Sequence, residues 1–163
     1  MPHRCWKFGD NVATDEILPS QYMVLTDPGE LGKHVLENVK PGFAAQISPG
    51  DIILAGKNMG YGSSREHAPL ALKGSGVGVV VASSFARIFF RNCINIGLPV
   101  VACPAAVEES DEGDLLDVDI RKGLIRNCTK NAEFSFEPFP DFILAYLLKG
   151  GLINALNEEF AKR

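Results

Sequence analysis

The sequence predicts a single α/β domain spanning residues 1–163, and three observations point to it. Three short apolar runs, residues 51–55, 77–81 and 98–102, have the length and composition of buried strands. The segments between them carry apolar residues at helical spacing. Strand, helix, strand in succession is the pattern of parallel strands joined by a right-handed crossover. No repeat, low-complexity run or linker divides the 163 residues, which suffice for one domain with a hydrophobic core.

Taken in order, residues 4–8 alternate apolar and polar side chains and read as a strand. They run into Gly9-Asp-Asn-Val-Ala-Thr-Asp-Glu16, a loop rich in turn formers and acids. Asp27-Pro28 gives a cap followed by a first-turn proline, and Leu31, Val35, Leu36 and Val39 recur on one face. A helix is expected there, ended by Pro41-Gly42. The strand at 51–55 leads into a glycine-rich loop at 56–64, then a helix at 65–73 that stops at Gly74. After the strand at 77–81, Phe85, Ile88, Phe89 and Cys93 fall at helical spacing, and the strand at 98–102 follows. The last third changes character. Residues 115–120 alternate, Arg121-Lys-Gly123 looks like a hairpin turn into Leu124-Ile125, and 134–136 is another short strand. Helices at 141–149, closing on Gly150-Gly151, and at 152–160 complete a mixed sheet with flanking helices.

Composition narrows the function. An apolar fraction of 46% and a charged fraction of 22% are ordinary for a globular protein. A net charge of -4 gives no basic surface for nucleic acid. No apolar run is long enough to span a bilayer, and the N-terminus lacks a secretion signal, so a cytoplasmic protein is expected. The cysteines, Cys5, Cys93, Cys103 and Cys128, contain no C-x-x-C pair or cluster-binding pattern. Cys93 and Cys103 lie in apolar stretches and read as reduced core residues. A metal needed for chemistry here would have to come from another chain.

The most informative stretch is Gly60-Tyr-Gly-Ser-Ser-Arg-Glu-His67. Glycines let a backbone turn sharply and approach a ligand closely. A helix beginning after them presents free N–H groups and a positive dipole end, which favour an anion. Arg65 adds a planar fork suited to a carboxylate. Ser63 and Glu66 also fit the S-x-x-E capping box, and the two readings can coexist. A serine held at such a place beside an arginine would have its alkoxide stabilised, as a proton-abstracting serine requires. Pro69 argues that the helix begins later than Ser64 or has irregular first turns. The spacing is not that of a P-loop, which demotes phosphate.

Gly62-Ser-Ser-Arg-Glu-His67 resembles the active-site serine motif of the aconitase superfamily. Gly9-Asp-Asn-Val-Ala-Thr-Asp-Glu-Ile-Leu-Pro19 resembles that family's N-terminal loop, which carries an aspartate after a threonine. Ser84-Phe-Ala-Arg-Ile88 and Arg91-Asn-Cys-Ile-Asn-Ile-Gly97 also resemble stretches of its small subunits. The resemblance implies an aconitase-type swivelling (β/β/α) domain that works as a hydro-lyase only with a large partner subunit. It implies that the partner carries a 4Fe-4S cluster and that this chain binds none. Ser63 matches the serine that takes the substrate Cα proton, and Arg65 the arginine that grips a carboxylate. Ser64 matches a supporting serine, and Asp15 an aspartate that helps position the site's arginines.

The stretch Ser20-Gln-Tyr-Met-Val-Leu-Thr26 resembles the loop that reads the substrate's variable group. Met23, Val24 and Leu25 are apolar, and no cation stands between Asp10 and Gly32, so a buried third carboxylate would lack a partner at a cost of about 1–3 kcal/mol. An isopropyl-substituted malate therefore suits the loop better than homoaconitate or citrate. Methyl-substituted malates, and a reading of these residues as plain core, stay open. A stand-alone carboxylate-binding module is the alternative from another class.

Other residues have plainer readings. His67 is expected in a structural role, His34 facing solvent, and His3 in a mobile terminus. Asp10 has no motif behind its pairing with Asp15. Arg87 and Arg91, at i and i+4, could line the site or a partner interface, although a solvated helix face is the simpler reading. The acidic run Glu108-Glu-Ser-Asp-Glu112 reads as a solvated loop.

Overall fold

The computed structural model describes residues 1–63 and 65–162. Seven strands form one mixed sheet: β1 (His3–Lys7), β2 (Ile52–Ala55), β3 (Val79–Ala82), β4 (Val100–Ala102), β5 (Leu115–Asp119), β6 (Leu124–Asn127) and β7 (Ala132–Ser135). Their spatial order is β4-β3-β2-β1-β5-β6-β7. The β1-to-β4 half is parallel and the β5-to-β7 half antiparallel, with β1 and β5 antiparallel at the join. The helices are α1 (Thr14–Ile17), α2 (Pro28–Gly32), α3 (Phe43–Gln46), α4 (His67–Gly74), α5 (Arg87–Asn95), α6 (Pro104–Glu109), α7 (Asp141–Leu148) and α8 (Leu152–Ala161), with a 3-10 helix at Ser20–Val24.

Side chains alternate across each strand, so one sheet serves two apolar layers. Ile53, Ala55, Val80, Ala82 and Val100 face a core shared with Leu31, Phe43, Leu72 and Phe89 from the helical layer. Ile52, Leu54, Val79, Val81 and Val101 face the other way, toward α6 and toward Leu116, Ile125 and Phe134 of the antiparallel half. Strands β2 and β3 are buried along their whole length, as their unbroken apolar runs require.

The expected helix from Asp27 to Val39 is cut short. Asp27 caps α2, its Oδ2 accepting from the Glu30 N–H at 3.0 Å, but α2 ends at Gly32. The chain continues as turns closed by bonds such as His34 N–H to Leu31 O (3.1 Å), and Leu36 takes φ 54°. Such turns repeat every three residues, which reproduces the helical spacing that buries Leu31, Val35 and Leu36. The loop at 9–16 is shorter than expected, because Thr14–Ile17 forms the single turn α1, steadied by the Glu16 carboxylate accepting from the Ala13 N–H. The 3-10 helix, α3 and α6 were not legible as helices. His3 belongs to β1, paired with Leu116, rather than to a mobile terminus. The acidic run is not simply solvated: Glu108 and Glu109 end α6, Asp111 pairs with Lys130 at 2.6 Å and Glu112 with Lys40 at 3.1 Å. Cys93 and Cys103 are buried free thiols as expected, Cys5 joins them, and Cys128 is exposed.

Candidate active site

The site is built where the parallel strands end. Ligands in open α/β sheets gather beyond the carboxyl ends of the strands, because the connecting loops there are free to present side chains. Here the loops leaving β1, β2 and β3 are stitched together by backbone hydrogen bonds. Gly60 N–H donates to Val12 O (2.7 Å), Thr14 N–H to Tyr61 O (2.9 Å), Met59 N–H to Ser84 O (3.1 Å) and Ala86 N–H to Met59 O (3.0 Å). Gly60 has φ 83°, and a Cβ there would stand 2.1 Å from Cγ of Phe89. Only glycine fits that turn.

Beyond it the turn lifts Ser63 into the open. Arg65 N–H donates to Ser63 O at 3.0 Å, and the Ser63 and Thr14 hydroxyls face each other at 3.5 Å. Ser63 and Arg65 are both exposed, while Thr14 is buried. Two hollows meet at this pair. A small one of about 20 Å³, room for a water-sized group, is lined by Thr14, Asp15, Met23, Ser63, Arg65 and His67 among others. A larger cavity of about 400 Å³ is lined by Gly60, Ser63, Arg65, Arg87, Phe89 and Asn92 among others. The Arg65 guanidinium rests against the Met23 sulfur. Among the described residues no carboxylate forms an ion pair with Arg65 or Arg87, although Asp15 lines the same hollow as Arg65.

The helix after the loop starts at His67, with Glu66 as its N-cap and no side chain capping it. The S-x-x-E capping box is therefore not formed, since the chain spends Ser63 and Arg65 on the turn. Pro69 falls in the first helical turn, where a missing N–H costs nothing. The uncapped first turn, including His67 and Ala68, walls the small hollow beside Ser63.

Of the residues named from sequence, Ser63, Arg65, Asp15 and Met23 come together at one hollow. Val24 is 85% exposed and lines neither hollow, and Leu25 packs partly against the core. Ser64 lies outside the described residues. Asp10 takes a local role, accepting from the Lys57 N–H at 2.7 Å. His34 is half-buried rather than simply solvent-facing, its ring stacked on Tyr22. Arg91 lines neither hollow. For Arg87 the structure favours the site over the simpler reading of a solvated helix face, since it lines the larger cavity with Ser63 and Arg65. Thr14 and Asn92 were missed. Both had a local signal, the threonine in its place before Asp15 and Asn92 in the Arg91-to-Gly97 stretch, but neither signal says that the side chain reaches the site.

Chemically the arrangement offers a hydroxyl nucleophile or base, two cations across a cavity, and an apolar sulfur beside one of them. It suits a small dicarboxylate. It does not suit an iron–sulfur cluster. Cys93 lies in one core layer and Cys5 and Cys103 in the other, and among the described residues no three His, Cys, Asp or Glu side chains gather as a metal-ligand set.

Comparison with known proteins agrees along the whole chain. Residues 33–105 match the model of the family described as the aconitase C-terminal domain. A 3-isopropylmalate dehydratase small subunit of Hydrogenobaculum sp. is 53% identical over 160 residues, covering 98% of this chain and 94% of that protein. One of Methanosarcina mazei is 51% identical over 163 residues, covering all of both. A crystal structure of a 3-isopropylmalate dehydratase from Methanocaldococcus jannaschii superposes with a TM-score of 0.92 at 39% identity, covering 98% of this chain and 95% of that one. Sharing its sequence end to end with these proteins and its fold with a solved example, the chain belongs to the aconitase-superfamily family of 3-isopropylmalate dehydratase small subunits.

Proposed function

We propose that this chain is the swivelling-domain half of a hydro-lyase that interconverts 2-isopropylmalate and 3-isopropylmalate, a step of leucine biosynthesis in the cytoplasm, and that residues 1–163 act in it as one domain. The observation that carries the reading is the meeting of Ser63 and Arg65 at one exposed hollow with Met23. Ser63 Oγ takes the substrate Cα proton. The neighbouring Thr14 hydroxyl and the uncapped first turn of α4 favour the alkoxide that does so. Arg65 holds one substrate carboxylate, and Arg87, across the larger cavity, offers a cation for the second. Asp15, which lines the same small hollow as Arg65, is assigned from the motif the role of helping to position the site's arginines, and Met23 gives the isopropyl group an apolar contact. Ser64 is assigned its supporting role from the motif alone.

Water is lost and regained between adjacent carbons. Proton and hydroxide leave as the alkene forms, and both return with the opposite regiochemistry. A 4Fe-4S cluster, assigned from the family resemblance to a large partner subunit, would supply Lewis-acid assistance at the leaving hydroxyl; among the described residues this chain gathers no ligand set of its own. The exposed position of Ser63 and Arg65 supports docking of such a partner over them.

Mixing this chain with its cluster-bearing partner is expected to give dehydratase activity that neither shows alone. Turnover by this chain alone would contradict the division of labour. A substrate panel tests the specificity: isopropylmalate should be preferred to methyl-substituted malates and homocitrate, and equal use of all three would remove the apolar loop from substrate reading.

A further inference from the structure

The segment that carries Met23 is held from behind by a group of side chains with no part in the chemistry above. Tyr22, next to Met23 in the 3-10 helix, stacks face to face on His34, with ring centroids 3.7 Å apart and planes 8° apart. Its hydroxyl donates to Glu37 Oε1 at 2.6 Å. The second oxygen of the same carboxylate meets His34 Nδ1 at 3.0 Å. The Tyr22 hydrogen bond, outweighing a push upward from partial burial and joined by His34, holds the Glu37 carboxyl below the usual carboxylate range. An ionised Glu37 accepts only, so His34 Nδ1 carries its proton toward it. Both oxygens of one carboxylate are thus committed to one tyrosine and one histidine, and the three side chains close a ring.

The backbone that presents this ring is strained and anchored. Leu36 adopts φ 54°, a left-handed conformation that is uncommon for a residue other than glycine, asparagine or aspartate. Its N–H donates to Ile17 O at 2.7 Å, and its side chain is fully buried with Leu31 and Val35. The strained residue turns the chain so that Leu36 enters the core while its neighbours His34 and Glu37 face Tyr22. Strain of this kind persists where the surroundings over-determine it, and it clusters around functional segments. On the far side of Tyr22, Met23 touches the Arg65 guanidinium. A continuous path of contacts therefore runs from the buried Leu36 through Glu37 and Tyr22 to Met23 and Arg65.

We infer that Tyr22, His34 and Glu37 form a clasp that fixes the Met23 segment against Arg65 and thereby sets how sharply the enzyme distinguishes one substituted malate from another. The inference rests on the dehydratase reading. Tyr22, His34 and Glu37 are positioning residues: they act through Met23 and touch no reacting atom.

The test uses the assembled two-subunit enzyme with Tyr22→Phe and Glu37→Gln. Each variant should raise KM for isopropylmalate about three- to tenfold, leave kcat within about twofold, and narrow the preference for isopropyl- over methyl-substituted malate by a similar factor. Amide exchange across residues 20–25 of the full chain should quicken about tenfold, as expected when a charge-assisted hydrogen bond is lost. His34→Ala should behave like them, whereas His34→Phe, which restores a stacked ring, should recover much of the preference. Unchanged exchange at 20–25 in both Tyr22→Phe and Glu37→Gln would overturn the clasp. Faster exchange with unaltered KM and preference would overturn its link to specificity. Exchange needs no turnover, so a chain that proved inactive with its partner would fail the dehydratase reading without obscuring whether the clasp holds the segment.

Discussion

Gly60 shows how tightly single residues shape the site. A methyl group at that position would drive into the Phe89 ring at a backbone angle of φ 83° that L side chains rarely adopt. Gly60→Ala should lower stability by about 1–3 kcal/mol and pull the Ser63 turn out of place, measurable as a reduced urea midpoint together with lost turnover. An unaltered midpoint would mean that the turn is not pinned by Phe89. The cysteines give a second check at this scale. Burial pushes the Cys93 thiol well above its ordinary range and the Cys5 thiol up to about 11, the latter with help from the Asp114 charge. A thiol reagent at pH 8 should therefore label Cys128 alone in the folded chain and all four cysteines in denaturant. The glycines, Ser63 and Arg65 were legible in the sequence because their signal is local. The parts played by Thr14 and Arg87 were less legible, because the contacts that bring them in are long-range: Thr14 meets Ser63 across 49 positions of chain.

Among the elements, the parallel strands were legible because burial on both faces demands an unbroken apolar run, which few other structures do. The segment after Asp27 was misread for an equally physical reason, since three-residue turns bury the same positions as a helix. The cap itself stands. Asp27→Ala should cost about 1 kcal/mol, read as a lower thermal midpoint, and no change would show that α2 is held by packing alone. That packing is close. A Cβ on Gly32 would lie 2.5 Å from Ser75 N, and one on Gly74 would lie 1.8 Å from Pro28 O. Contact at backbone distance ties α2, and with it the chain entering His34 and Glu37, to the helix that follows Arg65. For the 3-10 helix, Val24→Arg asks whether the exposed position reaches substrate once the partner is docked. A shift toward acids with a third carboxylate is expected, and an unshifted preference would assign the reading of substrate to Met23 alone.

On the scale of the whole molecule, the two halves of the sheet are fastened beside β1. Cys5 N–H donates to Asp114 O at 3.0 Å and Gly113 N–H to Cys5 O at 2.9 Å. The Asp114 side chain accepts from Asp111 N–H (2.9 Å) and Asn127 Nδ2 (2.8 Å), with Lys130 at 3.6 Å. Burial raises its pKa, but these partners outweigh burial and leave the carboxyl below its ordinary value. A depressed carboxylate stabilises the fold above its unfolded pKa, about 4, and that stabilisation disappears as pH falls through the folded value. The urea midpoint should accordingly drop below pH 4, and Asp114→Asn should be less stable at pH 7 with a flatter decline in acid. An equal decline in both would place the acid sensitivity elsewhere. The fold as a whole exists to carry the strand-end loops. Whether Ser63 is the proton-abstracting group of a site completed by a second subunit is decided by turnover of the reconstituted enzyme with Ser63→Ala, while sedimentation follows assembly. Turnover should fall at least about a hundredfold with assembly unchanged; full activity in an intact assembly would contradict it.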